Sequence, residues 1–267
     1  MPTVHLSDFA LTYEQRGSGL PLLFIHGYPL HRFLWEPQWN SLSAVAQIIV
    51  PDLRGHGESE PGEAPHSMEV FAKDCFDLIT ALGITSPVVV CGLSMGGYIA
   101  MAMQRIEPQR IAGLILAATR SSADSPEGKA SREKSIHLAQ EKGSGPIIEG
   151  MLPRILAPRN IATRPDLVNH VKQIMASIPT TTIIKDLQGM IERPDSTKLL
   201  AISSKPTLII HGADDQIVPL KEAHALSQII PGAQFIALPE AGHLLNLEQP
   251  DQFNLAVSQF IKSIPYE

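Results

Sequence analysis

The chain has 267 residues, enough for one large α/β core with a small insertion and no need of disulfide or metal staples. Its 21 Lys and Arg stand against 27 Asp and Glu, a net charge of −6 with no basic run, which argues against nucleic acid and anionic membrane surfaces as partners. The N-terminus shows no charged segment leading into an apolar one, no stretch approaches the roughly 20 apolar residues that span a bilayer, and Cys75 and Cys91 fall in an expected helix and a buried strand, so a soluble protein of the reducing cytoplasm is expected.

Thr3 to Leu6 and Ala10 to Glu14 alternate in polarity and are split by Ser7-Asp8, which predicts an antiparallel hairpin at a sheet edge. Leu22 to Ile25 is a continuous apolar run, hence a strand buried on both faces, and it ends in His26-Gly-Tyr-Pro29. Trp35 to Ser43 has a helical period. Gln47 to Val50 is the next strand and runs into the loop Asp52-Leu-Arg-Gly-His-Gly-Glu-Ser59. Ser67 to Leu82 reads as a helix, with Ser67 as its N-cap and Gly83 just past its end. Val88 to Cys91 is a β-branched strand that stops at Gly92-Leu-Ser94-Met-Gly96 and turns at once into a helix over Met95 to Glu107, halted by Pro108. Ile111 to Ala117 is a further buried strand.

Strands and helices alternate to this point, which implies right-handed crossovers and a mostly parallel sheet covered by helices on both faces. Residues 121–197 break the alternation: they hold no convincing strand but several helix starts, Ser125-Pro126-Glu127 among them. Ile147, Ile148, Met151, Leu152, Ile155 and Leu156 form an apolar stripe at helical spacing that needs a surface to cover. The segment leaves the sheet at the same edge as Ser94. The expectation is therefore a core of residues 1–120 and 198–267 with an inserted helical cap, 121–197, folded over the site. Strands resume at Pro206 to His211 and Gln234 to Leu238, with helices over Leu220 to Ile230 and Asp251 to Ile264.

A strand joined to a helix through a single residue needs a tight turn, and Gly92, Gly96 and Gly97 remove the Cβ atoms that would crowd it. The turn lifts the Ser94 hydroxyl clear of the backbone and aims the free N–H groups of the new helix at an oxygen over it, with the Met95 N–H directly after the serine. A serine is a weak nucleophile unless a base takes its proton and an acid orients the base. In an open α/β sheet such groups collect beyond the carboxyl ends of the strands. Gly212-Ala-Asp214-Asp215-Gln-Ile-Val-Pro219 and Pro239-Glu-Ala-Gly-His243 follow the last two strands and hold both residue types. His-Glu-x-x-His, His-x-His-x-Asp and clustered Cys ligands do not occur, so no metal is called for.

Gly92-Leu-Ser94-Met-Gly, His26-Gly-Tyr-Pro, Asp52-Leu-Arg-Gly-His-Gly-Glu-Ser, Asp215-Gln-Ile-Val-Pro and Gly242-His243 together resemble the α/β-hydrolase family, and most closely its small esterase, enol-lactonase and cofactor-free perhydrolase branch. The resemblance covers nearly the whole chain outside the cap. It implies the α/β-hydrolase fold, Ser94 as nucleophile, His243 as base, Asp215 in preference to its neighbour Asp214 as orienting acid, and the Tyr28 N–H as the second oxyanion donor beside Met95. It implies no cofactor. Tyr28, Leu30, Trp35, Met151, Val218 and Leu244 are candidate pocket walls, while His26 and His56 are expected to tie loops to backbone groups. The activity expected is a serine hydrolase (carboxylesterase-like) acting on a small, mostly apolar carboxylic ester or lactone. The alternatives are a perhydrolase or haloperoxidase-type activity and a receptor-like protein that traps a small ligand. A serine at position 94 departs from the aspartate nucleophile of similar dehalogenases and epoxide hydrolases.

Overall fold

The computed structural model describes residues 2–266. The chain opens with β1 (Thr3–His5), β2 (Ala10–Arg16) and β3 (Pro21–Ile25), then α1 (Glu36–Ser43), β4 (Gln47–Pro51), α2 (Met68–Ala81), β5 (Val88–Leu93), α3 (Met95–Ile106) and β6 (Ile111–Ala117). Six helices follow without an intervening strand: α4 (Pro126–Lys142), α5 (Gly145–Ile155), α6 (Pro158–Thr163), α7 (Pro165–Ala176), α8 (Thr180–Glu192) and α9 (Thr197–Ala201). The chain closes with β7 (Thr207–Gly212), α10 (Leu220–Ile229), β8 (Gln234–Leu238), α11 (Leu245–Glu248) and α12 (Pro250–Ser263).

The strands form one eight-stranded sheet in the order β1-β2-β4-β3-β5-β6-β7-β8. β4 through β8 and β3 run parallel; β1 and β2 are antiparallel to their neighbours and close one edge. Both faces are covered, and the two-residue period of a strand divides the side chains between them. Leu23, Ile25, Val88 and Val90 enter a core with α2 and α3, whereas Leu22, Phe24, Val89 and Cys91 enter a second with α1 and α12. A buried aliphatic side chain contributes about 1.5–3 kcal/mol, so the central strands hold the sheet rigid beneath the loops at its carboxyl edge.

Local signals set the element ends. The Ser67 hydroxyl accepts the Val70 N–H at 3.2 Å, and Gly83 follows α2 with a φ of +70°. Ser125 caps α4 in the same way, accepting from the Gly128 N–H at 3.2 Å. The loop after β4 is organised by a buried Asp52, which accepts the Arg32 N–H at 2.7 Å and the Glu58 N–H at 2.9 Å and pairs with the Arg32 guanidinium. His26 holds the adjoining loop: Nε2 accepts the Leu53 N–H at 3.1 Å and Nδ1 donates to the Gly27 carbonyl at 3.0 Å. His56 departs from the expected purely backbone tie. Its Nδ1 donates to the Arg54 carbonyl, but its Nε2 donates at 2.9 Å to the carboxylate of Asp186 on α8. Cys75 and Cys91 are buried free thiols, and no helix among the described residues is long and apolar enough to cross a membrane.

Candidate active site

The chain steps from β3 to β4 on one side and returns to β5 on the other, so the sheet changes winding direction between β3 and β5. A crevice opens at such a point beyond the strand ends. Tyr28 follows β3 there and Ser94 follows β5. Ser94 has φ 56° and ψ −111°, a conformation an L-residue holds only when its surroundings impose it. Those surroundings are backbone against backbone. A Cβ on Gly92 would lie 2.1 Å from the Gly96 carbonyl oxygen, and one on Gly96 would lie 2.2 Å from that of Ile25. The turn also fixes the Ser94 N–H on the Ala117 carbonyl at 2.9 Å and the Thr119 hydroxyl on the Ser94 carbonyl at 2.9 Å. Among the described residues, the N–H groups of Met95 and Tyr28 enter no hydrogen bond.

The loops after β7 and β8 meet where a Cβ on Gly212 would lie 2.0 Å from the Gly242 carbonyl oxygen. There the His243 Nδ1 donates to Asp215 Oδ2 at 2.8 Å. The second oxygen of Asp215 accepts the N–H groups of Ile217 at 2.8 Å and Val218 at 3.0 Å, which fixes the carboxylate plane. Burial would raise the Asp215 carboxyl, but the charge and hydrogen bond of His243 and the Val218 N–H outweigh it, so Asp215 sits below the ordinary carboxylate value and is ionised at neutral pH. Asp214 is exposed and points elsewhere. The His243 Nε2 is buried without a partner, and no hydrogen bond closes the step to the Ser94 hydroxyl. Such contacts tighten when a substrate docks.

Glu248, at the end of α11, braces the loop that carries His243. Its carboxylate accepts the N–H groups of Gly242 and Ala157 and the Asn160 amide, each at 2.7 Å. No motif marks Glu248; only the carboxylate closing the turn Leu244-Leu-Asn-Leu-Glu248 sets it apart.

Ser94 is partly exposed and opens into a cavity of about 460 Å³. Tyr28, Met151 and Val218 line it. Leu30, Trp35 and Leu244 do not. They are buried in the core shared with α1 and α12, where the Trp35 ring lies 4.7 Å from Phe24 and 5.9 Å from Phe253. The chain after Pro29 enters a 3-10 turn, Arg32–Trp35, in which Trp35 is buried. Three helices between β6 and β7 supply most of the remaining wall: α4, α5 and α8. Tyr98, Arg120 and Arg132 also face the cavity and were not foreseen. The stripe Gly128, Ser131, Arg132, Ser135 along α4, small and polar at helical spacing, was the available signal.

The model of the alpha/beta hydrolase family matches residues 22–256. A thermophilic esterase from Thermogutta terrifontis, solved with malate bound, is 38% identical and superposes with a TM-score of 0.95 over 98% of each chain. A pimeloyl-[acyl-carrier protein] methyl ester esterase of Xanthomonas campestris pv. campestris is 27% identical over 93% of this chain and 98% of its own. 3-Oxoadipate enol-lactonase 1 of Acinetobacter baylyi is 26% identical over 86% of this chain and 84% of its own. With a family match that spans most of its length and an eight-stranded sheet of the corresponding topology, the chain belongs to the alpha/beta hydrolase family.

Proposed function

We propose that this protein is a serine hydrolase that cleaves a small, mostly apolar carboxylic ester or lactone through an acyl-Ser94 intermediate. The observation that carries the reading is a serine in a strained strand-to-helix turn, open to a cavity at the same sheet edge as a hydrogen-bonded His243–Asp215 pair. Ser94 Oγ bonds to the carbonyl carbon as its proton passes to His243 Nε2, which Asp215 keeps in the tautomer with Nδ1 protonated. The carbonyl oxygen, now an anion, is received by the N–H groups of Met95 and Tyr28, each donor contributing about 3 kcal/mol to the barrier reduction. Collapse expels the alkoxide, which takes the proton from His243; in a lactone it stays attached to the acyl group. Water then repeats the sequence on the acyl-enzyme and frees Ser94.

Residues 121–197 act in this reading as a cap that excludes water and sets acyl size, while the reacting groups stay on the core formed by 1–120 and 198–267. The similarity to proteins named as esterases and an enol-lactonase supports the reaction class. Buried, unpaired thiols at Cys75 and Cys91 accord with the reducing cytoplasm. A series of p-nitrophenyl esters of graded acyl length, with lactones beside them, tests the proposal: wild type should turn over the shorter members and Ser94→Ala none above the rate in buffer. Equal turnover by the two would refute it.

A further inference from the structure

The cavity that receives Ser94 carries more positive than negative charge. Arg120, Arg132 and Arg154 line it, and Asp124 is its one lining carboxylate. Asp124 is shared three ways: it pairs with Arg120, with Arg132 Nε at 2.6 Å and with Arg193 at 3.0 Å. Glu222 is the other carboxylate whose charge reaches Arg120. Arg154 spends one donor on the Gln216 carbonyl at 2.8 Å. Three lining guanidiniums thus face one lining carboxylate, which Arg193 also shares. Donors remain as well as charge, for the two terminal nitrogens of Arg132 make no hydrogen bond. Tyr28 lines the same space, but its hydroxyl is buried without a partner, and burial together with the charge of Asp186 raises its pKa.

An unspent guanidinium fork in a largely apolar cavity suits a planar anion, which takes two parallel N–H bonds from it. We propose that the terminal nitrogens of Arg132, with the charge of Arg120 beside them, form a carboxylate subsite, so that the substrate is an ester or lactone bearing a free carboxylate, such as the half-ester of a short dicarboxylic acid. The proposal rests on the serine-hydrolase reading for its second contact, the carbonyl at Ser94. The apolar side chains between the two, Met151, Leu187 and Val218, fit a methylene chain.

The test compares kcat/KM for monoethyl succinate, glutarate and adipate with the matching diethyl esters, in wild type and in Arg132→Gln and Arg132→Lys. At least one half-ester should exceed its diester by about tenfold or more, a loss of roughly 1.4 kcal/mol when the contact is removed. The ratio should fall toward one in Arg132→Gln, fall part of the way in Arg132→Lys, and shrink in high salt, with thermal unfolding confirming that both variants are folded. A wild-type ratio of one or below, or a ratio that Arg132→Gln leaves intact, overturns the subsite while ester cleavage still upholds the serine hydrolase. If neither ester is cleaved, that reading fails instead, and calorimetry with glutarate on wild type and Arg132→Gln decides the subsite alone: binding weakened about tenfold by the substitution supports it, and no binding overturns it.

Discussion

Ser94 and His243 stand on turns where backbone presses on backbone, as α8 does at Gly189, whereas α5 carries glycines with open space beside them. A Cβ on Gly92, Gly96, Gly212 or Gly242 would come within 2.4 Å of a backbone atom, yet one on Gly145 or Gly150 of α5 would meet nothing within 4 Å. The floor has one arrangement, and the α5 part of the wall has room for several. Chemistry that needs fixed distances is therefore carried by glycine-packed turns, and recognition by side chains that can be exchanged without moving them.

The largest effect should come from breaking the floor. Asp215→Asn should lower kcat by about 10³–10⁴-fold, because an amide cannot hold the His243 tautomer. Asp214→Asn, exposed and unconnected to His243, should change kcat less than about twofold. Steady-state kinetics on the pair reads the difference; the reverse pattern would reassign the acid.

The junction between floor and wall comes next. Asp186 on α8 accepts from His56 at 2.9 Å and from His66 at 2.7 Å, all three buried. Removing one member of a buried pair costs about 3–5 kcal/mol, so Asp186→Asn should destabilise the fold by that order in urea unfolding. Burial lowers the affinity of His56 for its second proton, but the Asp186 charge more than restores it; burial likewise raises Asp186, and His56 and His66 more than reverse that. His56 thus stabilises fully below the ordinary imidazole value and loses this as pH rises through its raised one. Asp186 stabilises fully above the ordinary carboxylate value and loses this as pH falls through its depressed one. The stability gap between wild type and Asp186→Asn should be widest between about pH 4 and 6.5 and narrow on either side.

Changes confined to the wall should be smaller. Met151→Trp should shift preference toward shorter acyl chains by roughly tenfold across an ester series while leaving the shortest ester within a few-fold; a uniform fall across the series would place Met151 in the reacting geometry. Gly150→Ala should raise stability by about 0.5–1 kcal/mol, since it removes helix-interior glycine entropy at a position with open space. A loss in thermal unfolding would show that α5 is as tightly fitted as the floor.

Much of the floor was legible because it is written in contiguous residues. Val88 to Ser94 announces a strand and a turn, and Ser67 and Gly83 frame α2, since local backbone demands leave local marks. The sheet's closing β1–β2 hairpin and the strands on either side of α10 follow from period alone. Pairings between distant segments left no such mark. Asp186 meets His56 across 130 positions, and Glu248 meets Ala157 across 91. Trp35 and Leu30 are apolar and follow the Tyr28 turn closely, but hydrophobicity alone does not say which side of a loop faces the core. The arginine wall was hidden for a related reason: on α4, Arg132 is one of several charges, and only the packing of α4 along α8 decides which of them turn inward.

The central claim is that Ser94 is the group that becomes acylated, and covalent labelling measures it most directly. Wild type treated with a p-nitrophenyl alkylphosphonate should gain one phosphonyl mass, located by peptide mapping on Ser94, and Ser94→Ala should gain none. Labelling of Ser94→Ala to the same extent, or a wild-type adduct on any other residue, would contradict the account.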